Sequence, residues 1–176
     1  MSDRYEQLKV GSASEDLDLG PVISKKQMDI ISEYEAQAEN LKLLAKGKLV
    51  KDTNPDGFYK TPKLFTTEDF KHVLAQEEIF GPIQVIIPFN DEDEAIEIAN
   101  STDYGLVASV WTENGGKQMR VAKKVRAGQV FINDYGAGGG VELPFGGVGR
   151  SGHGREKGFE ALYGFSQLKT IANFHG

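Results

Sequence analysis

The chain has 176 residues, a formal net charge of -6, 39% hydrophobic and 26% charged residues, and no cysteine. Its length suits one ordinary core, its acidic balance without a basic stripe argues against nucleic acid or an anionic membrane as partner, and the missing thiols exclude disulfides, thiolate zinc sites and a cysteine nucleophile in this polypeptide. No apolar run approaches the ~18 residues of a membrane span, and the opening MSDRYE lacks a signal peptide's apolar stretch, so the expected location is cytoplasmic.

Ser24-Lys25-Lys26-Gln27 reads as a capping box, and Met28, Ile31, Tyr34, Ala38 and Leu41 follow at helical spacing, which predicts a helix over residues 24–40. Residues 41–50 and 58–65 look extended, with Asn54-Pro55-Asp56-Gly57 as the turn between them. The four lysines of 42–51 alternate with apolar residues and decorate this edge. Residues 66–74 read as a short helix. From Gln84 the pattern is regular: an apolar run over 84–89, a helix capped by Asp91 with Ala95, Ile96, Ile98 and Ala99, a second run over 107–111, an amphipathic stretch over 116–125, and a strand over 129–132. That β-α-β-α-β order predicts a parallel sheet with helices packed on it. Residues 156–164 read as a helix, and 166–174 have β character. A terminal strand without a later partner leaves an edge that tends to find another chain.

The last of these strands opens into residues 133–158, of which 10 are glycine. Within it Gly147, Gly149 and Gly152 have the G-x-G-x-x-G spacing of a dinucleotide-binding turn. That motif needs a strand before it and an acid about 20 residues after it. Pro144 opposes a central strand, and the acid would fall near Ala172. The nucleotide fingerprint is therefore rejected. Gly149-Arg150-Ser151-Gly152-His153 likewise departs from the G-x-S-x-G elbow, because His153 replaces the last glycine. His72, His153 and His175 lack ligand spacing, so no metal site is expected. On residues alone, the chain is an α/β domain with a glycine-rich loop and no catalytic constellation.

Six segments, LGPVI at 19–23, EEIFGP at 77–82, ANSTDYGL at 99–106, GQVFIN at 128–133, PFGG at 144–147 and SGHGRE at 151–156, closely resemble the NAD(P)-dependent aldehyde dehydrogenase superfamily in order and spacing. The resemblance spans nearly the whole chain, but only the last part of the family's length. It implies an α/β fold, a three-layer catalytic domain built on a parallel sheet over residues 1–164. It also implies a terminal oligomerisation strand over 165–176. In that family a cysteine thiolate attacks the aldehyde, hydride passes to the nicotinamide, and base-activated water hydrolyses the thioester. The cofactor domain, the general base and the cysteine all lie upstream of the region matched.

Carried over residue by residue, the resemblance implies that Glu78 accepts hydrogen bonds from the nicotinamide ribose hydroxyls, a task suited to a carboxylate. Phe80 packs beside the nicotinamide riboside, Phe145 lines the aldehyde tunnel and Tyr135 belongs to the variable loop at its mouth. No residue of this chain is assigned a catalytic role. NAD or NADP is expected in the intact enzyme and none bound to these 176 residues alone, because most of the contact surface lies elsewhere. The expected partners are an aldehyde and further copies of the chain. Where many relatives carry lysine after the PFGG motif, this chain has Gly149-Arg150. Two functions stay open: part of an aldehyde dehydrogenase, with this chain inactive alone, or a truncated, non-enzymatic module that folds and self-associates.

Overall fold

In a computed structural model, which describes residues 1–51, 53–136 and 140–176, the chain divides into two units, Met1–Phe89 and Asn90–Gly176. The first begins with helix α1 (Ser2–Gln7), strand β1 (Lys9–Val10) and helix α2 (Lys25–Ala36). The Ser24 hydroxyl starts α2 by accepting the Gln27 N–H at 3.2 Å, which satisfies one of the orphan donors of the first turn. Strands β2 (Lys42–Lys46), β3 (Lys48–Leu49), β4 (Lys63–Thr66) and β5 (Ile83–Ile86) follow, with the single-turn helix α3 (Val73–Gln76) before β5. The sheet order is β2-β4-β5, with β2 antiparallel and β5 parallel to the central β4, and β1 pairs in parallel with β3.

Strand β4, buried at both Leu64 and Phe65, and the helical spacing on α2 converge on one core. Ile31 and Ala38 of the α2 segment meet Phe65, Leu74 and Ile79, with Tyr34, Ile83 and Val85 packed around them. Ile31 and Leu64 are wholly inaccessible to solvent. Removing such a side chain to alanine typically costs about 2–5 kcal/mol. At the edge of this core, Glu35 of α2 receives Lys60 at 2.9 Å and Lys63 at 3.0 Å, and all three side chains are at most one-fifth exposed. Burial pushes the Glu35 carboxyl up, but the hydrogen bonds and charges of the two lysines together bring it below its ordinary value.

The second unit comprises helix α4 (Glu92–Asn100), strand β6 (Val107–Val110), helix α5 (Gly115–Lys124), strand β7 (Gln129–Ile132) and helix α6 (Ala161–Gly164). Asp91 accepts the Glu94 N–H at 2.9 Å, and the Glu94 carboxylate reaches back to the Asn90 N–H at 2.6 Å, a reciprocal cap. Acidic residues fill the first turn of α4 and lysines the last turn of α5, each complementing a helix dipole. A bidentate pair from Arg120 to Glu92, both bonds 2.7 Å, ties the two helices together. Those hydrogen bonds lower the Glu92 pKa and raise that of Arg120. β6 and β7 pair in parallel, Val107 opposite Gln129. Trp111, the only tryptophan of the chain, follows β6 and is 65% exposed.

The mixed α/β architecture with parallel pairs agrees with the sequence reading, and four details differ. Of the expected β-α-β-α-β series, β5 pairs with β4 inside the first unit and β6 with β7 inside the second, since periodicity identifies strands but not their partners. Residues 66–72 are not helical; Thr67 Oγ1 accepts the Asp69 N–H and Asp69 Oδ1 the Lys71 N–H, local bonds that compete with a helix. The expected helix over 156–164 shrinks to α6 because Lys157 and Gly158 adopt positive φ of 60° and 59°. Residues 166–176 form no strand, and Phe165, Leu168, Ile171 and Phe174 are each more than four-fifths exposed; an extended segment without a ladder partner in its own chain is not a strand.

The Glu35 pairs make acid stability testable. Because the folded pKa lies below the unfolded value of about 4.5, their contribution is complete above that value and is lost as pH falls through the lower folded pKa. Urea unfolding across pH 3 to 7, on the order of the carboxylate range, should show a shallower loss of stability for Glu35→Gln than for the unsubstituted chain. Parallel curves would refute the assignment.

Candidate functional site

The EEIFGP segment runs between α3 and β5, and its residues alternate in direction. Ile79 points into the core, 8% exposed, while Phe80 on its outer side is 78% exposed and Glu78 is exposed. Leu74, Glu77, Glu78, Phe80 and Gly81 are among the residues lining an open cavity of about 300 Å³. Among the described residues none bonds to the Glu78 carboxylate, which leaves both oxygens able to accept hydroxyl donors. Phe80 holds φ at 51°, a left-handed conformation costing a side-chain-bearing residue about 1–2 kcal/mol. Next to it, a Cβ at Gly81 would lie 2.6 Å from Cδ1 and Cγ1 of buried Ile31. The turn therefore requires glycine at 81. An outward carboxylate that accepts hydrogen bonds and an outward aromatic ring beside a cavity fit a hydroxyl-bearing, partly aromatic ligand.

In the second unit the glycine-rich loop is built from backbone contacts. The Val148 and Gly128 N–H groups both donate to the Gly105 carbonyl at 3.0 Å, Arg150 N–H donates to the Asp103 carbonyl at 2.8 Å, and the Ser151 hydroxyl accepts the Gly105 N–H at 3.1 Å. Phe145 and Glu156 exchange a pair of backbone hydrogen bonds at 2.7 and 2.6 Å. Gly149, with φ of 60°, has no room for a Cβ, which would sit 2.2 Å from the Asp103 carbonyl oxygen. Both rejected motifs are explained: these glycines let backbone pack on backbone, and the Ser151 hydroxyl serves the same fold. Arg150, at the departure from the commoner lysine pattern, lies 5.0 Å from the centre of the Tyr104 ring, within cation–π range.

Phe145, half-buried, lines a separate cavity of about 470 Å³ with Leu106, Gly146, Gly147, Ala161 and Phe165 among its walls. Lys157 Nζ stands 5.7 Å from its ring centre. Tyr135 lines neither cavity and is 72% exposed just beyond β7. Of the variable loop 135–140, residues 137–139 lie outside the described residues. Thus Glu78 and Phe80 share one cavity, and Phe145 belongs to another. Among the described residues no cluster of three metal-ligating side chains occurs, and no helix is long and apolar enough to cross a membrane.

Sequence reading missed two residues that shape these surfaces. Asn133, at φ of 52°, accepts the Thr112 N–H at 2.9 Å and donates to the Thr112 carbonyl at 3.0 Å, latching the carboxyl ends of β6 and β7. Its signal was present, since asparagine is enriched in the left-handed region. Gln27 donates to the carbonyls of Ile79 and Phe80, a contact across 52 residues that no local pattern reveals.

The aldehyde dehydrogenase family matches residues 1–171. A solved structure from Burkholderia cenocepacia, described as a candidate aldehyde dehydrogenase, superimposes with a TM-score of 0.92 and 54% identity over 99% of this chain and 37% of its own. A Mycobacterium tuberculosis aldehyde dehydrogenase solved with NAD+ gives a TM-score of 0.82 and 39% identity over 91% of this chain and 33% of its own. A candidate aldehyde dehydrogenase of Staphylococcus saprophyticus is 39% identical over 99% of this chain. The chain spans about 37% of that relative's length.

The loop geometry gives a direct test. A Cβ at Gly128 would fall 1.6 Å from the Gly146 carbonyl oxygen, and backbone cannot swing aside as a side chain can. Gly128→Ala should destabilise the second unit by roughly 4 kcal/mol or more, read by chemical denaturation followed by indole fluorescence. A change below about 1 kcal/mol would show that the PFGG loop does not rest on this turn.

Proposed function

Because the chain belongs to the aldehyde dehydrogenase family, we propose that it is the carboxy-terminal portion of the catalytic domain of an enzyme that oxidises an aldehyde to a carboxylic acid with NAD(P)+ through a cysteine thiohemiacetal. The match over residues 1–171, spanning about 37% of a relative's length, carries this reading. The overall change converts aldehyde, NAD(P)+ and water to carboxylic acid, NAD(P)H and a proton. The nucleotide, when bound, supplies the hydride acceptor.

Within that enzyme this chain's residues bind and shape. Glu78 orients the nicotinamide ribose by accepting hydrogen bonds from its hydroxyls, and Phe80 presents its exposed ring to the riboside. Phe145 and Tyr135 line the aldehyde route. Residues 165–176 pair as a strand with a neighbouring subunit, which would cover Leu168, Ile171 and Phe174. No cysteine is present in these 176 residues, so the covalent step requires a thiolate from outside them, and the chain alone is inactive. The apolar, uncovered tail also supports the second reading, a truncated self-associating module.

The purified 176-residue chain supplied with aldehyde and NAD+ should produce no NADH above a buffer control, followed by absorbance; production would overturn its inactivity. An immunoblot of source cells separates the two functions. A band several times heavier than 19.3 kDa supports the dehydrogenase, and a band at 19.3 kDa supports the module. In the intact protein Glu78→Gln should raise KM for NAD(P)+ about tenfold or more, the range for hydrogen bonds to charged groups. KM for the aldehyde should not move; equal effects on both would remove the ribose assignment.

A further inference from the structure

The loop from Phe145 to Glu156 is closed at its base and held at its tip. At the base, Phe145 and Glu156 exchange backbone hydrogen bonds of 2.7 and 2.6 Å, and the Arg155 guanidinium donates to the Gly147 carbonyl at 3.0 Å. At the tip, residues 148–151 lie on residues 103–105. Val148 N–H donates to the Gly105 carbonyl, Arg150 N–H to the Asp103 carbonyl, and the Ser151 hydroxyl accepts the Gly105 N–H. This close approach leaves no place for the lysine that many relatives carry at 149, because φ there is 60° and a Cβ would stand 2.2 Å from the Asp103 carbonyl oxygen. The cation sits one residue later. Arg150 lays its guanidinium 5.0 Å from the centre of the Tyr104 ring, across the same two segments that the backbone bonds join. Gly146, Gly147 and Ser151 share with Phe145 the lining of one cavity, so the clasped tip and the Phe145 wall are one piece of chain.

We infer that Arg150 is a positioning residue for the aldehyde route, acting through the face of Tyr104. This rests on the assignment of Phe145 to that route. Arg150 adds a side-chain contact to a tip fastened through backbone groups, and its planar guanidinium stacks on a ring face as an ammonium cannot. That contact limits how far the tip slides over residues 103–105. A looser tip lets the Phe145 wall shift, and displacements of binding groups on the order of 1 Å are costly.

The test uses the intact protein with Arg150→Met, which keeps length and removes the charge. KM for the aldehyde should rise roughly two- to fivefold, the range of an exposed cation–π contact, while KM for NAD(P)+ holds. Arg150→Lys keeps a cation over the ring and should bring the aldehyde KM back to within about twofold of the original. Tyr104→Leu should reproduce the rise, and combining it with Arg150→Met should add nothing further. Arg120→Met breaks the α4–α5 ion pair in the same unit; as the control for general loosening, it should leave both KM values unchanged. Amide exchange at Gly105, Val148 and Arg150 should quicken in Arg150→Met and not in Arg120→Met, a readout independent of turnover. An unchanged aldehyde KM in Arg150→Met, additive effects in the double variant, or an equal rise in Arg120→Met would overturn the positioning role and leave the dehydrogenase reading intact. Absence of aldehyde oxidation by the unsubstituted intact protein would overturn that reading and this role with it.

Discussion

Both units depend on backbone coming closer to its neighbour than any side chain would allow. In the first, Gly81 lies against Ile31, and an added Cβ would sit 2.6 Å from two of its carbons. In the second, Gly128 meets the Gly146 carbonyl at a distance that leaves no room for one. Each contact joins a segment bearing a candidate ligand-facing residue to the element behind it: the EEIFGP turn to α2, and the PFGG loop to the start of β7. Glycine there is a steric requirement, and the freedom it carries in the unfolded chain is a cost that folding must offset.

Burial is divided unevenly. Ile31, Leu64, Phe65, Leu74 and Ile79 are all buried in the first unit, whereas Ile96 is the one hydrophobic residue of the second unit that reaches the same degree of burial among the described residues. The second unit relies more on polar fastenings, with Arg120 on Glu92, Asn133 on Thr112 and Asn100 on the backbone of Arg126 and Lys124. Surface ion pairs contribute about 0–1 kcal/mol each. Exposed apolar side chains such as Phe159, Tyr163 and Phe174 therefore represent burial that the unit does not supply for itself.

Much of the local structure was legible in the sequence. Ser24, Asp91 and the apolar run at 130–132 identified α2, α4 and β7, because caps and hydrophobic patterns are local signals. Strand pairing was not legible, since no pattern in the sequence indicated that β5 would lie beside β4, which carries Phe65 of the core. The site divided in the same way. Glu78 and Phe80 were singled out by motif and do line one cavity, whereas the bond that ties Gln27 to their turn is a contact across 52 residues. The glycine spacing at 147–152 imitated a phosphate cradle because both need backbone close to something; only the structure shows that the something is more backbone.

Trp111 sits at the exposed end of β6, and it is the only indole in the chain. A ring this exposed in the folded state should already emit as a largely hydrated indole, so that unfolding changes its colour little. A single smooth fluorescence transition would report one position and could not by itself certify two-state unfolding of the whole chain; circular dichroism, to which α2 contributes the longest of the described helices, supplies the second probe.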